Sequence, residues 1–374
     1  MPSRTTPWKV TDLAQRFGEN PLLSPKDLRP SAPGMEVTCL LNPGVFRFDG
    51  KIWLLVRVAE RPVQVPGKIS FPVLNPDGGH AGNGIEILEF STADPRLNLD
   101  DPRVIRFDGQ DYLTTLSHLR LFSSRDGIVF SEPEGGRLLV GSGALESYGI
   151  EDCRVSRIGD TFYLTYTQVS SNGVGVGLRT TTDWRNFTQE GMIFSPHNKD
   201  CALFEEPVDG LYYALHRPSS PELGGNYIWL AQSPDLLHWG NHRCLARTRE
   251  GRWDSARVGA GAAPIRTPQG WLEIYHGATE ENRYCLGALL LDLSEPWRVL
   301  ARSEKPIMEP LARYEQEGFF GHVIFTNGHL VDGDRLTLYY GAADSVICAA
   351  HLSISEVLAS LNMPSSAAAF GGSL

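Results

Sequence analysis

The sequence predicts an all-β fold, and three observations lead to this prediction. One unit recurs along the chain, a turn with Gly or Asp followed by a short strand that ends in a polar side chain. From the second copy onward the copies lie about 50 to 64 residues apart, a spacing typical of β-propellers. No long amphipathic helical period occurs before residues 354–361, which disfavours a sheet with crossover helices. We therefore predict a five-bladed β-propeller.

The five copies align at their turns and strands. Each copy from the second onward is followed by another apolar strand, as expected of a unit that supplies several strands to one sheet. The copies are Asp49–Arg57, Gly159–Tyr166, Asp209–Arg217, Gln269–His276 and Gly333–Gly341. We expect one catalytic domain that spans residues 1–374.

Four segments lie outside this repeat. Residues 1–35 are polar and proline-rich, so we predict an N-terminal arm over the body, with a short helix around Val10–Phe17. A short helix is expected at Ile354–Leu361, and residues 364–374, rich in Ser, Ala and Gly, are expected to be a flexible tail. Residues 59–148 form an insertion within or beside the first blade. It holds a partial sixth copy, Asp101–Gly109, so it either adds a blade or elaborates the first one, and we favour elaboration.

Composition limits the classes of partner. The chain has 374 residues, 41% hydrophobic and 21% charged, as in soluble globular proteins. Its net charge of −10 argues against binding nucleic acid or an anionic membrane. A local site for a small anion remains compatible with that charge. The sequence leaves the oligomeric state open, and the arm and the Ala59–Gly84 loop are the segments we consider for a homo-oligomer.

The cysteines and the N-terminus indicate a compartment. The cysteines are far apart and contain no Cys-x-x-Cys pair, which is neither a zinc pattern nor a small disulfide scaffold. They are Cys39, Cys153, Cys201, Cys244, Cys285 and Cys348. Residues 1–15 lack an apolar run of signal-peptide length, and no apolar segment of membrane-spanning length occurs. We expect a cytoplasmic protein.

The stretch Glu151-Asp152-Cys153-Arg154 is the first candidate for chemistry. It places two carboxylates and a guanidinium at the entry to a strand, where one acid can be fixed beside a cation. The structural alternative is a loop salt bridge between Asp152 and Arg154.

A second set of residues is basic and recurs at equivalent points of the repeat. Arg57, Arg217 and His276 end corresponding strands, and further polar groups lie in the connections or open the next strand. Convergence on one axis would give a cationic pocket that suits phosphate or carboxylate. The further groups are Lys199, Arg257 and Tyr284, with acids at Asp152, Asp200 and Asp344 and aromatic rings at Tyr148, Trp253 and Phe320.

Each member also has a purely structural interpretation. Arg217 could pair with Glu205 or Glu206, His276 could be a core histidine, and Tyr284 could serve packing alone. The sequence contains no phosphate-binding loop, no dinucleotide fingerprint and no metal-ligand cluster of useful spacing. We therefore expect neither a metal nor an organic cofactor.

Several motifs in one order resemble glycoside hydrolase family 130, the mannoside phosphorylases and their mannosidase relatives. The resemblance runs from about Asn42 to about Leu352. Its segments are Asn42-Pro43-Gly44 with Arg57, Gly149–Arg154, Asn198–Asp200 with Phe204–Glu206, Leu215–Pro218, Gly259–Pro264, Ile274–Gly277, Leu286–Asp292 and Tyr339–Asp344.

The resemblance implies a five-bladed propeller that cleaves a β-mannoside with inversion. It implies that Asp152 is the acid that protonates the glycosidic oxygen, in some members through a hydroxyl of the mannose. Positions matching the mannose pocket are Asn42, Arg57, Arg154, Asp200 and Asp344. Positions matching the phosphate-binding set are Lys199, Arg217, Arg257, His276 and Tyr284.

Phosphorolysis and hydrolysis differ in what they require. An inverting hydrolase needs a second carboxylate to activate water, whereas a phosphorylase holds phosphate with cations and needs no base. Because Arg217 and His276 are present, we favour a phosphorylase that uses inorganic phosphate as co-substrate and releases α-mannose 1-phosphate. The alternatives are an inverting β-1,2-mannosidase with Glu205 or Glu206 as base, and a non-catalytic sugar-binding propeller.

Two departures from the family pattern bear on this expectation. Cys153 stands where the family usually has proline, although Asp152 is retained. The insertion between Arg57 and Asp152 resembles the branch that acts on β-1,2-linked mannobiose and mannooligosaccharides, so we expect β-1,2-linked substrates.

Overall fold

The computed structural model describes residues 12–75, 84–101, 104–136, 138–219 and 224–361. In this part of the chain the regular structure is mainly strand, and the two α-helices are α1 (Arg313–Gln316) and α2 (Ile354–Ser360). The predicted all-β class is confirmed, and α2 lies where the C-terminal helix was expected. The expected tail, residues 364–374, and residues 1–11 of the arm lie outside the described residues.

The strands follow the chain in three groups. The first group is β1 (Gln15–Arg16), β2 (Met35–Phe48), β3 (Lys51–Pro62), β4 (Lys68–Leu74), β5 (Ile85–Ser91), β6 (Leu97–Asp101), β7 (Val104–Phe107), β8 (Gln110–Leu113), β9 (Leu116–Ser124) and β10 (Leu138–Leu139). The second is β11 (Ile150–Ile158), β12 (Thr161–Ser170), β13 (Gly173–Thr181), β14 (Thr188–Phe194), β15 (Asn198–Leu203), β16 (Tyr212–Pro218), β17 (Ile228–Ser233) and β18 (Gly240–Ala246). The third is β19 (Arg257–Gly259), β20 (Ile265–Thr267), β21 (Gly270–Ala278), β22 (Tyr284–Leu291), β23 (Val299–Arg302), β24 (Ile324–Asp332), β25 (Arg335–Ala342) and β26 (Val346–Ser353).

These strands form five main antiparallel sheets, which follow one another along the chain. Their strand orders are β2-β3-β9-β10, β11-β12-β13-β14, β15-β16-β17-β18, β19-β21-β22-β23 with β20 also on β21, and β24-β25-β26-β1. Each repeat copy found in the sequence forms the turn and the second strand of one sheet, namely β3, β12, β16, β21 or β25. Among the first strands, β2 lies against β11 and β24, and β11 lies against β15, whereas β19 lies against β16.

The hydrophobic core is divided among the contacts between sheets. One cluster, with Leu55 and Leu164, joins the first sheet to the second, and another, with Val176 and Leu203, joins the second to the third. Further clusters join the third to the fourth, the fourth to the fifth and the fifth to the first. Because strand residues alternate between two faces, each sheet can pack apolar side chains against both neighbours.

The N-terminal arm completes the fifth sheet. The short strand β1 pairs with β26, so the predicted helix around Val10–Phe17 is wrong in its described part. Arg16 donates to the buried carboxylate of Glu315, with Nε 2.8 Å from Oε1, and to the carbonyl of Glu309. Pairing with an existing sheet edge satisfies the backbone of this segment better than an isolated helical turn would.

The insertion contributes to the first sheet and adds two small sheets beside it. Strands β9 and β10 belong to the first sheet, where β9 pairs with β3 along its whole length. Strands β4 and β5 form a hairpin, and β6, β7 and β8 form a three-stranded sheet that includes part of the sixth repeat copy. The described part of the insertion therefore forms no further four-stranded sheet.

Replacing Arg16 by Ala should destabilise the protein because Glu315 would lose its charged partner while remaining fully buried. Removal of one partner of a buried ion pair costs about 3 kcal/mol in the free energy of unfolding. Chemical denaturation would measure this loss. The matched control is Arg313→Ala, which breaks an exposed pair with Glu317 and should change stability by less than about 1 kcal/mol. Equal effects of the two substitutions would contradict the role given to Arg16.

Candidate active site

A β-bulge recurs in the first strands, at the point where they meet. The strand register shifts between Leu41 and Gly44, between Glu151 and Arg154, between Lys199 and Ala202, and between Thr326 and Gly328. A bulge turns a side chain out of the regular alternation and is common beside active sites. The bulged residues include Asn42, Asp152 and Asp200, each with positive φ, and Asn327.

Asp152 is held by two donors on one oxygen. Its Oδ1 accepts hydrogen bonds from Asn42 Nδ2 at 3.0 Å and from Arg57 Nη1 at 3.1 Å. Arg57 also donates to Glu151 and, through Nε, to the hydroxyl of Ser117. Oδ2 makes no hydrogen bond within the described residues, so it is the oxygen available to a bound ligand.

The charge state of Asp152 follows from its neighbours. Burial by itself raises the pKa of this carboxyl, but Arg57 and Arg154 outweigh burial and hold the pKa below its ordinary value. Hydrogen bonding from Asn42 and the charge of Lys199 act in the same direction. In the free protein Asp152 is therefore a carboxylate at neutral pH.

Arg154 connects the two halves of the site. This guanidinium is almost fully buried and donates to the carbonyls of Gly261 at 2.7 Å, Ala260 at 2.8 Å and Asp152 at 3.0 Å. Its Nη2 also lies 3.2 Å from Oδ1 of Asp200. One side chain therefore fixes the second, third and fourth sheets relative to one another, which is a positioning role as well as an electrostatic one.

Asp200 is the anionic centre of a basic cluster. Its Oδ2 lies 3.0 Å from Nε of Arg217 and 3.3 Å from Nε2 of His276, while Oδ1 faces Arg154. Burial raises the pKa of Asp200, but these neighbours outweigh burial and hold the pKa well below its usual range. Asp200 thus remains charged and orients the cations around it.

His276 is neutral at neutral pH. Its ring is fully buried and lies 4.1 Å, centroid to centroid, from the ring of Phe325. Burial lowers the pKa of His276 to about 4, although the charge of Asp200 opposes this shift. The imidazole can therefore offer a hydrogen bond to an anion, whereas the positive charge of the cluster comes from arginine and lysine.

Arg217 retains unused donors. Its Nη1 is buried and has no hydrogen-bond partner within the described residues, and its contact with Asp200 is poorly aligned for a hydrogen bond. Lys199 lies directly opposite Arg217 in the register of β15 and β16. Buried donors without partners are costly, so this cluster is suited to an anion that accepts from them.

Arg257 and Tyr284 form the outer part of the basic cluster. Arg257 donates to the hydroxyl of Tyr284 at 2.9 Å and to the side chain of Asn282 at 3.0 Å. The ring of Tyr284 lies 6.1 Å from the ring of His276. The basic residues expected from the sequence are thus linked by contacts, except Lys199, which is placed by strand register and by its electrostatic effect on Asp152.

Asp344 belongs to a turn instead of a first strand. It lies between β25 and β26 with positive φ, as does Ala343, which is the backbone conformation of a tight hairpin turn. Burial raises the pKa of Asp344 to about 6, with Arg57 opposing the shift and Asp152 and Glu151 adding to it. The structure therefore brings Asp344 into the electrostatic reach of Asp152.

Two glycines make the close approach of these groups sterically feasible. A Cβ atom on Gly259 would lie 2.3 Å from Oδ2 of Asp200 and 2.5 Å from the ring of His276. A Cβ atom on Gly261 would lie 2.2 Å from the carbonyl of Ile274. The segment Gly259–Pro264 therefore has small residues because Asp200, His276 and the backbone of Ile274 approach it closely.

The two acids considered as a hydrolytic base lie elsewhere. Glu205 accepts from the backbone N–H of Arg157 at 2.7 Å, five residues along β11 from Asp152, which corresponds to roughly 15 Å. Glu206 is exposed and lies 3.5 Å from Arg266. Neither pairs with Arg217, whose ion pair is with Asp200.

Comparisons with known proteins identify the family. A family model described as beta-1,4-mannooligosaccharide phosphorylase, Glyco_hydro_130, matches residues 115–363. This chain belongs to glycoside hydrolase family 130. A beta-1,2-mannobiose phosphorylase of Listeria innocua is 45% identical over 352 residues, which are 93% of this chain and 98% of that protein. A 1,2-beta-oligomannan phosphorylase of Thermoanaerobacter is 36% identical over 245 residues, which are 65% of this chain and 80% of that protein.

A solved structure agrees with this membership of family 130. The complex of the Listeria innocua beta-1,2-mannobiose phosphorylase with beta-1,2-mannobiose superposes with a TM-score of 0.86 at 45% identity, and the match covers 93% of this chain and 99% of that one. The described part of this family 130 chain contains no helix that is long and apolar enough to cross a membrane.

Two residues at the site were missed by the sequence reasoning. Asn327 donates to the carbonyl of Asn42, and Glu273 accepts from the N–H of Gly261 at 2.7 Å. Glu151, which belongs to the first candidate stretch, shares Arg57 with Asp152. Asn327 could have been found by comparison with Asn42, because each asparagine precedes a glycine of a first strand by one or two residues. Glu273 carries no such signal because it looks like an ordinary strand residue.

Glu273→Gln should make the free energy of unfolding less dependent on pH. Burial raises the pKa of the Glu273 carboxyl from 4.5 to about 8, against the opposing effect of Gly261 and Arg154. The folded state then binds more protons than the unfolded state in this range. The stabilising contribution of this group is complete below about pH 4.5 and is lost as the pH rises through about 8.

Denaturation from pH 5 to pH 8 tests this expectation. Wild type should lose on the order of 3 kcal/mol more than Glu273→Gln, whose amide oxygen can still accept from Gly261. Glu317→Gln, at an exposed position, is the control and should follow wild type. An identical pH dependence of the free energy of unfolding in wild type and Glu273→Gln would contradict the inference that the Glu273 carboxyl is neutral in the folded protein.

Proposed function

We propose that this protein is an inverting β-mannoside phosphorylase that cleaves β-1,2-linked mannooligosaccharides with inorganic phosphate and releases α-mannose 1-phosphate. The observation that carries the proposal is the buried basic cluster beside Asp152. There Arg217 has an unused donor, His276 is a neutral donor, and the nearby acid Asp200 is outweighed by several cations. Phosphate is a ligand that such donors bind strongly.

The proposed reaction is a single displacement. A phosphate oxygen attacks the anomeric carbon of the mannosyl unit, a new C–O bond forms, and the glycosidic C–O bond breaks with its electron pair going to the departing sugar oxygen. That oxygen takes a proton supplied by Asp152, either directly or through a mannose hydroxyl. Attack from the face opposite the leaving group converts the β-linkage into an α-phosphate.

The acid role requires that Asp152 gain a proton in the complex. Arg57 and Arg154 keep it ionised in the free protein. Lys199 and Arg154 help to lower the pKa of Asp152, and the negative charge of bound phosphate offsets their effect. The bound sugar also displaces water from the Asp152 carboxylate. Both changes favour the protonated acid, so binding of both substrates prepares the proton donor.

Hydrolysis is not favoured by the geometry. A carboxylate that activates water would have to lie on the opposite face of the sugar from Asp152, within about 10 Å of it. Glu205 is bound at the far end of β11, and Glu206 faces Arg266 at the surface. The position opposite Asp152 is instead proposed to hold the phosphate bound by Arg217 and His276.

The preference for β-1,2 linkages rests on the insertion. The family model is described as beta-1,4-mannooligosaccharide phosphorylase. Its match to this chain begins at residue 115, so most of the insertion is unmatched. The β-1,2-mannobiose phosphorylase of Listeria innocua aligns with 93% of this chain, which includes most of residues 59–148. This alignment with a β-1,2-mannobiose phosphorylase supports the proposed preference for β-1,2 linkages.

The five main sheets are proposed to be the blades of a five-bladed propeller. Each packs on the next, and the fifth packs on the first. The β1 strand from the chain's start completes the last sheet, which ties the two ends of the ring together. In this arrangement the bulged first strands surround the axis and carry the site.

A cytoplasmic location and a homo-oligomer stay predictions.

The proposal is tested by incubating the protein with β-1,2-mannobiose, with and without phosphate, and following mannose 1-phosphate and free mannose. Mannose 1-phosphate should form only with phosphate. Asp152→Asn should lower the rate at least about a hundredfold without unfolding the chain, because proton transfer is lost. Asp160→Asn, an exposed acid two residues beyond the same strand, is the control. Free mannose formed without phosphate, or a wild-type rate in Asp152→Asn, would overturn the assignment.

His276→Ala should raise the KM for phosphate about tenfold, because one hydrogen bond to a charged ligand is lost. The KM for mannobiose should change less. Initial rates over a phosphate series measure the phosphate constant, and a mannobiose series measures the other. The control is His238→Ala, which replaces an exposed histidine in the connection between β17 and β18. An unchanged phosphate dependence would remove His276 from the phosphate site.

A further inference from the structure

Two neighbouring aromatic rings project into solvent near the site. Phe319 is 66% exposed and Phe320 is 43% exposed, whereas the other phenylalanines of the described chain are buried or half-buried. Exposed pairs of large apolar side chains are unusual on a protein surface and often mark a contact with a ligand or another molecule.

The backbone of this pair is tied to the turn that carries Asp344. Phe320 N donates to the carbonyl of Ala343 at 3.0 Å, and Phe319 N donates to the hydroxyl of Ser345 at 2.7 Å. A Cβ atom on Gly318 would lie 2.5 Å from the carbonyl of Ala343, so the segment is seated closely on this turn. The backbone that carries the two rings is therefore fixed beside the turn of Asp344.

The other end of the segment is tied to the proposed phosphate site. The carbonyl of His322 accepts from the N–H of Tyr284 at 3.0 Å. Phe325, which follows at the start of β24, places its ring against His276. Residues 318–325 thus run from the turn of Asp344 to Tyr284, and this segment carries the two exposed rings.

We propose that Phe319 and Phe320 form an aromatic platform for the sugar that neighbours the mannosyl unit held by Asp152 and Asp344. This inference rests on the proposed function and names two residues that bind the acceptor side of the oligosaccharide. Aromatic side chains supply a large, rigid contact area at low conformational cost, and a pyranose ring presents a face of C–H groups to them. Half-exposed rings gain apolar burial when that face covers them.

The experiment measures sugar binding in the Asp152→Asn background, in which turnover is blocked. Calorimetry gives the Kd for β-1,2-mannobiose and β-1,2-mannotriose, and also for α-mannose 1-phosphate, which reaches only the mannose and phosphate positions. Phe319→Ala or Phe320→Ala should raise the oligosaccharide Kd roughly two- to tenfold. Binding of mannose 1-phosphate should not change.

Three further variants separate stacking from general effects. Phe320→Leu keeps apolar area but lacks a flat ring, and it should bind oligosaccharides more weakly than Phe320→Trp. Val331→Ala removes an exposed apolar side chain near the other end of β24, and its affinities should equal those of the parent. Both phenylalanines are exposed, so their truncation should leave the thermal midpoint unchanged.

Three results would overturn the inference. They are an unchanged oligosaccharide Kd, an equal weakening of mannose 1-phosphate binding, and a dimer that dissociates in the variants by light scattering while sugar affinity is retained. The last result would show that the rings contact a second copy of the chain. Failure of the proposed function is distinguishable, because it would appear in the wild-type phosphorolysis assay and not in these binding constants.

Discussion

The buried guanidinium of Arg154 is the interaction on which the site depends. It donates to the carbonyl of Asp152, to the carboxylate of Asp200, and to two carbonyls of the Gly259–Pro264 segment. A charge without water is costly unless each of its donors is satisfied. The second, third and fourth sheets must therefore meet in one arrangement, and this arrangement places Asp152 on one side of Arg154 and, on the other, the basic cluster that is proposed to bind phosphate.

The same constraint explains why the strands bulge and why glycine recurs. A regular strand would direct Asn42, Asp152 and Asp200 into its own pleat, whereas the bulges turn them toward a common centre. Small residues at Gly259 and Gly261 then let Asp200, His276 and backbone approach one another. The local backbone conformations are unfavourable alone, and the contacts made through Arg154 offset that cost.

Much of the fold and of the candidate site could be predicted from the sequence because both depend on patterns of neighbouring residues. The turn-and-strand unit recurs, and Arg57, Arg217 and His276 occur at equivalent points of it. Each of these residues lies on the second strand of its sheet. Arg57 and Arg217 pair with the first strand beside its bulge, and His276 pairs with Gly259, at the end of the first strand β19. The first strand therefore lies between each of them and the proposed propeller axis. The pattern indicated their equivalence but not that they would be separated from the centre by another strand. The helix expected around Val10–Phe17 was wrong because the pairing with β26 lies more than 330 residues away in sequence.

The sequence by itself determined the all-β class, the repeat and the set of polar residues, because periodicity and residue type are local properties. Only the tertiary structure decided which charges meet and in which state. It made His276 neutral by burial, kept Asp200 ionised among cations, and raised the pKa of Glu273 to about 8. It also placed Glu205 at the far end of β11, away from Asp152. These outcomes depend on solvent exclusion and on distances between separate sheets, and no pattern along one strand carries that information.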